Sequence, residues 1–199
     1  MKKFYILLLL VFGCVINAQL KEVRELREIE SKYDSILVNY QIKATDSLAN
    51  LKEKDRNKIM ASKERKILER KRKDEYAQLE KIRKKELELS NDNTGGNSVP
   101  CQSSEPFKKP NTSDLFDRNL KYKPTISKTD NRKESYSEVT FIVSKEGWIE
   151  NVNAVGTDRN LNKQVEIAVY RIEKFSPSCL DGFSQRTRFK MPVRIVPEN

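Results

Sequence analysis

Residues 137–155, SEVTFIVSKEGWIENVNAV, decide the fold. Val139, Phe141 and Val143 alternate with Thr140, Ile142 and Ser144, a period of two in strand-forming residue types, so one face is expected to be buried and the other partly wet. Lys145-Glu146-Gly147 follows, with the glycine where a tight reversal needs positive φ, and a second β-type run begins at Trp148. The pair reads as a hairpin. Ile149 and Val152 are three apart and cannot share a face of a regular strand, so one extra residue near Glu150-Asn151 is expected to bring Ile149, Val152 and Ala154 to the same side. Trp148 reads either as an exposed anchor or, in the plainer alternative, as a ring packed against a helix.

Downstream, Gly156-Thr157-Asp158 is turn-like. Leu161, Val165, Ala168, Val169 and Ile172 then form one helical stripe, while Lys163, Glu166, Arg171 and Glu173 occupy the rest. The helix is expected to stop near Phe175, because the residue before Pro177 is pushed out of the helical region. Asp181-Gly182 is a turn. Thr187, Phe189, Met191, Val193 and Ile195 alternate with Arg188, Lys190, Pro192 and Arg194, which gives a third strand with one apolar and one basic face. Pro192 cannot donate to a ladder, which places this strand at a sheet edge. The fold class expected is α+β: a small three-stranded antiparallel sheet with one packed helix, in the order strand, strand, helix, strand, preceded by a long charged helix or coiled coil.

That order, with V-x-F-x-V-x-x-x-G-x-I-x-x-V from Val139 to Val152, aromatic-x-Pro at Phe175 to Pro177, the glycine at Gly182 and F-x-M-P-V from Phe189 to Val193, resembles the carboxy-terminal domain of TonB-like proteins. Asn119-Leu120-Lys121-Tyr122 is similar to the short helix that precedes the hairpin in many members. The resemblance covers residues 112–196. It implies a binding module whose last strand pairs with an extended segment of an outer-membrane protein or transporter. The partner-binding strand is then Thr187, Arg188, Phe189, Lys190, Met191, Pro192, Val193, Arg194 and Ile195, with Phe189, Met191 and Val193 held down on Val165, Ala168, Val169 and Ile172. Energy-transmitting TonB proteins carry a longer membrane anchor with a histidine and a proline-rich spacer. This chain departs from them on all three points.

Met1-Lys2-Lys3 is followed by an uncharged run, residues 4–16, and by Ala18. The run is short for a membrane span and suits a signal-peptide core, so residues 1–18 are expected to be a cleaved signal of an exported, periplasmic or envelope protein. An uncleaved anchor and lipoprotein processing at Cys14 are the alternatives. Residues 19–90 contain neither glycine nor proline and are dominated by charge. Leu26, Ile29, Tyr33, Ile36 and Tyr40 have heptad spacing, continued by Ala44, Leu48 and Leu51 after a shift of one residue. They predict one long helix that self-associates through residues 20–51, a rod of roughly 100 Å if helical throughout. The basic run KERKILERKRK, residues 63–73, reads first as a solvated helix face. Residues 91–111 are rich in Ser, Asn, Gly and Pro and read as a linker.

The chain holds no histidine, which excludes Ser-His and Cys-His nucleophile pairs and the usual zinc sites. Glu146, Glu150 and Asp158 read as ordinary solubilising groups. No enzyme, no cofactor, no metal site, no small-molecule substrate and no nucleic-acid partner is expected, the last because no aromatic residues are interleaved with the basic run. Once the signal is removed, Cys101 and Cys179 remain, and in an oxidising compartment an even pair is expected to bridge. On the chain-entropy model, closing a loop of about 80 residues is worth at most roughly 4 kcal/mol. Two unpaired thiols are the alternative. The competing functional class is a structural envelope protein whose coiled coil oligomerises while the end domain only docks on a neighbour or on the cell wall.

Overall fold

A computed structural model describes residues 20–90, 99–101 and 135–195. The expected signal and the short helix around Asn119-Leu120-Lys121-Tyr122 lie outside these residues. The chain divides into a helical unit, Glu22–Asp92, and a second unit that contains the sheet.

The helical unit is a pair of helices, α1 (Lys21–Ser47) and α2 (Glu53–Ser90), rather than the single rod expected. The break falls in residues 48–52, next to the one-residue slip in the heptad pattern. Thr45, Asp46, Ser47 and Asn50 are poor helix formers that compete for backbone hydrogen bonds, and the last turn closes with short-range bonds such as Leu51 N–H to Leu48 O. The two helices run antiparallel and are stitched along their length. Gln78 donates to Glu25 and to the Glu22 carbonyl, Tyr33 donates to Asp74 at 2.6 Å, and Gln41 donates to Glu64. Lys71, its side chain 8 % exposed, lies 3.0 Å from Asp34 and 3.9 Å from Glu30. The stripe expected to recruit another chain is therefore spent in part on α2. Leu26 and Tyr33 are buried, Ile29 and Tyr40 half-buried, and Ile36 stays exposed. Pairing within one chain has no association entropy to overcome, which is why a polar seam can hold the two helices together.

The Asp74 hydrogen bond raises the Tyr33 phenol above the usual tyrosine range, with burial adding to the effect. A raised folded value means that this bond stabilises the pair fully below the ordinary tyrosine range and is lost as pH rises through the raised value. Tyr33→Phe is expected to lower helix-pair stability by about 1 kcal/mol at neutral pH and to shrink the alkaline loss of helicity followed by circular dichroism. An alkaline limb identical in the variant would contradict the assignment.

In the second unit, β1 (Ser135–Val143) and β2 (Ile149–Gly156) form the hairpin, α3 (Arg159–Tyr170) follows, and β5 (Thr187–Ile195) returns antiparallel to β1. The sheet order is β2-β1-β5, so β1 is central and both others are edges. The fold class is the expected α+β. A short second hairpin, β3 (Ser178–Leu180) and β4 (Phe183–Gln185), is added between α3 and β5. Its turn is Asp181-Gly182, both at positive φ, the pattern of a two-residue hairpin turn.

The bulge falls where the apolar spacing placed it. Thr140 pairs with Asn153 and Ile142 with Glu150, so Asn151 and Val152 both stand opposite Phe141, and Asn151 takes φ 52°. Ile149, Val152 and Ala154 are all buried in consequence. Gly147 has φ 89°, and a Cβ there would lie 2.4 Å from the Phe175 carbonyl oxygen, while Phe175 N–H donates to the Gly147 carbonyl. Gly147→Ala is expected to cost about 2–3 kcal/mol, from left-handed strain and from the clash with a backbone atom. Urea denaturation checks it, and a loss under 0.5 kcal/mol would show that the turn simply relaxes.

α3 is capped by Asp158, whose Oδ1 accepts from Asn160 and Leu161 N–H. The helix ends at Tyr170, well before Phe175. Phe175 has to leave the helix to bond Gly147 and to enter a ring cluster, 5.8 Å from Phe141 and 5.2 Å from Phe189, with Phe141 and Phe189 stacked at 5.4 Å. Leu161, Val165, Ala168 and Val169 are buried as expected, but Ile172 lies beyond the helix and is half-buried. α3 lies over β2 and β1. At Phe189, β5 is fastened into the aromatic cluster with Phe141 and Phe175. Trp148 is half-buried, with Lys174 Nζ 5.2 Å from its ring centroid.

Candidate functional site

The two edges of the main sheet are treated differently by the residues around them. On β2, the N–H of Ala154 donates to Glu166 Oε1 at 2.8 Å and the N–H of Val152 donates to the Tyr170 hydroxyl at 3.2 Å. Glu166 is 1 % exposed and Tyr170 fully buried. Two successive outward donors of this edge are thus consumed by side chains of α3, so an added strand would find them occupied. Periodicity had put Glu166 on the wet face of the helix. The bulge is the reason it is not there: it turns Val152 and Ala154 toward α3, and their donors need an acceptor. Nothing in the sequence pattern marked Glu166 or Tyr170. Only a hairpin model with the bulge already in place would have raised the question of where those donors go.

β5 presents the other edge. Pro192 stands opposite Glu138 in the ladder with β1, and a proline has no N–H to give, so this pair must be of the non-hydrogen-bonded kind. Alternation then fixes the rest. Phe189, Met191 and Val193 turn their backbone groups toward β1, and their side chains are buried. Arg188 and Lys190 turn their backbone groups away from β1, and the side chains of Arg188, Lys190, Pro192 and Arg194 are exposed. Thr187 and Ile195 are half-buried at the two ends, and the Thr187 hydroxyl hydrogen-bonds that of Ser178. Every residue of the strand singled out from sequence therefore lies on one continuous strand. Those that face outward are the basic ones and the proline.

The outer face beside this edge is polar and partly neutralised. Lys190 Nζ lies 2.8 Å from Glu138, a hydrogen bond that raises the Lys190 amine above the usual lysine value. Arg186 lies 3.1 Å from Glu150, and the Arg194 guanidinium is 5.9 Å from the Tyr136 ring centroid. Among the described strands β5 pairs only with β1, and charged side chains along such an edge discourage indiscriminate pairing.

Cys101 and Cys179 are joined, with Cα atoms 6.1 Å apart. Residues 99–101, read from sequence as part of a linker, lie along β4. Ser184 N–H donates to the Val99 carbonyl at 2.8 Å, Cys101 N–H donates to the Gly182 carbonyl at 2.9 Å, and Pro100 bridges to Phe183. Among the described residues no group of acidic or cysteine side chains is placed to hold a metal ion, and no helix is long and apolar enough to cross a membrane. No family model, no curated protein and no solved structure matches the chain.

Proposed function

We propose that the chain is a non-enzymatic cell-envelope protein whose α+β domain, in the way the TonB-like resemblance implies, binds an extended segment of an outer-membrane protein or transporter by strand addition along β5. The observation that carries this reading is the asymmetry of the sheet. Donors of β2 are taken up by Glu166 and Tyr170, whereas Arg188 and Lys190 on β5 turn their backbone groups outward. Main-chain hydrogen bonds supply the affinity in this mode of recognition, and the exposed basic residues favour a segment with acidic or polar side chains on that face. The helical pair acts as a spacer on the amino-terminal side.

A photo-crosslinking residue placed at Arg188 in the native organism is expected to capture an outer-membrane protein, and the same residue at Val155 on β2 is not. Capture only of the chain itself, or only of cell-wall material, would count against the proposal. A second reading, in which the helical pair is a structural element that associates with further copies, is favoured by one observation. Val38, Ile42, Ile59 and Leu68 remain exposed on it. Sedimentation of the mature chain separates the readings, since self-association that Val38→Lys with Ile42→Lys abolishes would favour the second.

A further inference from the structure

The charges of α2 are sorted around its circumference. Lys63, Lys66, Arg70, Lys73, Lys81 and Lys84 follow one another at steps of three or four residues, with Ala77 filling the one gap, so they stand in a single row along the helix. At about 1.5 Å per residue the row is roughly 30 Å long. It lies roughly a third of a turn round from the buried row Ile67, Lys71, Gln78 and Ile82, and every residue in it is exposed. We propose that this cationic ridge docks on an anionic phospholipid membrane, meeting its headgroup phosphates along the length of the row. The proposal goes beyond the strand-addition reading and does not depend on it.

An ordinary solvated helix face interleaves acids with its bases, and α2 does so elsewhere. Arg65 with Glu69, Arg83 with Glu80 and Lys85 with Glu88 are ion pairs three or four residues apart. The ridge has no acid within it. Among the described residues its lysines form no ion pair, and the acids that flank them are engaged by others: Asp74 by Tyr33, Glu69 by Arg65 and Glu80 by Arg83. Like charges at this spacing repel and weaken a helix. The row is therefore a cost to the fold that an anionic partner offsets.

The make-up of the row selects among such partners. A second helix packs through an apolar seam, and Ala77 is the one apolar side chain in the row. Single-stranded nucleic acid is held on aromatic rings, and the row has none. The phosphates of a duplex wind along its grooves, so a straight row meets them at a few points only. A bilayer presents its headgroup charges in a plane. The whole row can then engage at once, and cations within a Debye length of that plane are attracted without any apolar insertion.

The test is co-sedimentation of the full chain with vesicles of phosphatidylcholine alone and of phosphatidylcholine mixed with phosphatidylglycerol. The readout is the ratio of the two partition coefficients, in which binding through apolar contact alone cancels. Each cation near an anionic leaflet strengthens binding roughly fivefold, so Lys66→Gln, Lys73→Gln and Lys81→Gln together are expected to lower the ratio about tenfold or more. Arginine at the same three positions keeps it, and circular dichroism reads unchanged helicity in both variants. Lys54→Gln, Lys58→Gln and Arg72→Gln remove equal charge from exposed positions of α2 off the row. That variant is expected to lower the ratio by less than about threefold, because its charges lie farther from the membrane plane and are screened. A ratio near unity in the native chain would overturn the proposal. Equal losses in the two glutamine variants would also overturn it, by reducing the effect to net charge. So would ridge-dependent binding to a short DNA duplex with none to the vesicles.

Discussion

Replacing Arg188 and Lys190 together by proline is expected to weaken binding of an extended partner segment by about 10- to 100-fold while leaving the domain folded. Each substitution removes one outward N–H, and a net hydrogen bond is worth about 0.5–1.5 kcal/mol. Neither N–H belongs to the ladder with β1, because the Glu138–Pro192 pair fixes the phase of that ladder. Native Pro192 shows that an edge position of the same kind accepts the ring. The charges are controlled for by Arg188→Gln with Lys190→Gln, which keeps both donors and is expected to cost less than the proline pair, since exposed charges contribute little. Moving the proline by one residue reverses the outcome. Met191→Pro removes an N–H that faces β1 and a side chain that is 1 % exposed, and is expected to destabilise the domain by about 3 kcal/mol or more. If the outward pair unfolds the domain while Met191→Pro is tolerated, the phase assigned to β5 is inverted and the docking edge with it.

Glu166→Ala has the second large expected effect, a loss of about 2–4 kcal/mol in urea denaturation. The Ala154 N–H would be left buried without an acceptor, and the removed side chain leaves a space under β2. Glu166→Gln keeps a carbonyl oxygen at the same reach and is expected to recover about half of the loss or more. The alanine variant also uncovers part of the β2 edge, so it is expected to aggregate on partial denaturation more readily than Gly147→Ala. A loss below 0.5 kcal/mol would mean that water replaces the carboxylate, and the argument that β2 is closed would lose its main support.

How much of this was legible in the chain depends on the range of the physics involved. The hairpin, its bulge near Asn151 and the Asp181-Gly182 turn follow from side-chain alternation and from residues that tolerate positive φ, all local properties. Pro192 marked an edge because its missing donor is a property of one residue. The break between α1 and α2 was half legible. The heptad slip near Ala44 was visible, but the preference for folding back depends on Lys71, Asp74 and Gln78 meeting Asp34, Tyr33 and Glu25, partners far away in sequence. The same limit hid Glu166 and Tyr170, whose burial is dictated by two backbone donors on another element. It also hid the early end of α3, which is set by what Phe175 must reach, and the docking of residues 99–101 on β4, in a stretch whose composition reads as linker.

Nuclear magnetic resonance of the isotope-labelled chain, titrated with a segment captured by crosslinking at Arg188, tests the central claim most directly. The account expects the amide signals of Arg188 and Lys190 to shift and to gain protection from exchange, with those of Val152 and Ala154 unmoved. Shifts concentrated at Val152 and Ala154, with none at Arg188 and Lys190, would contradict it.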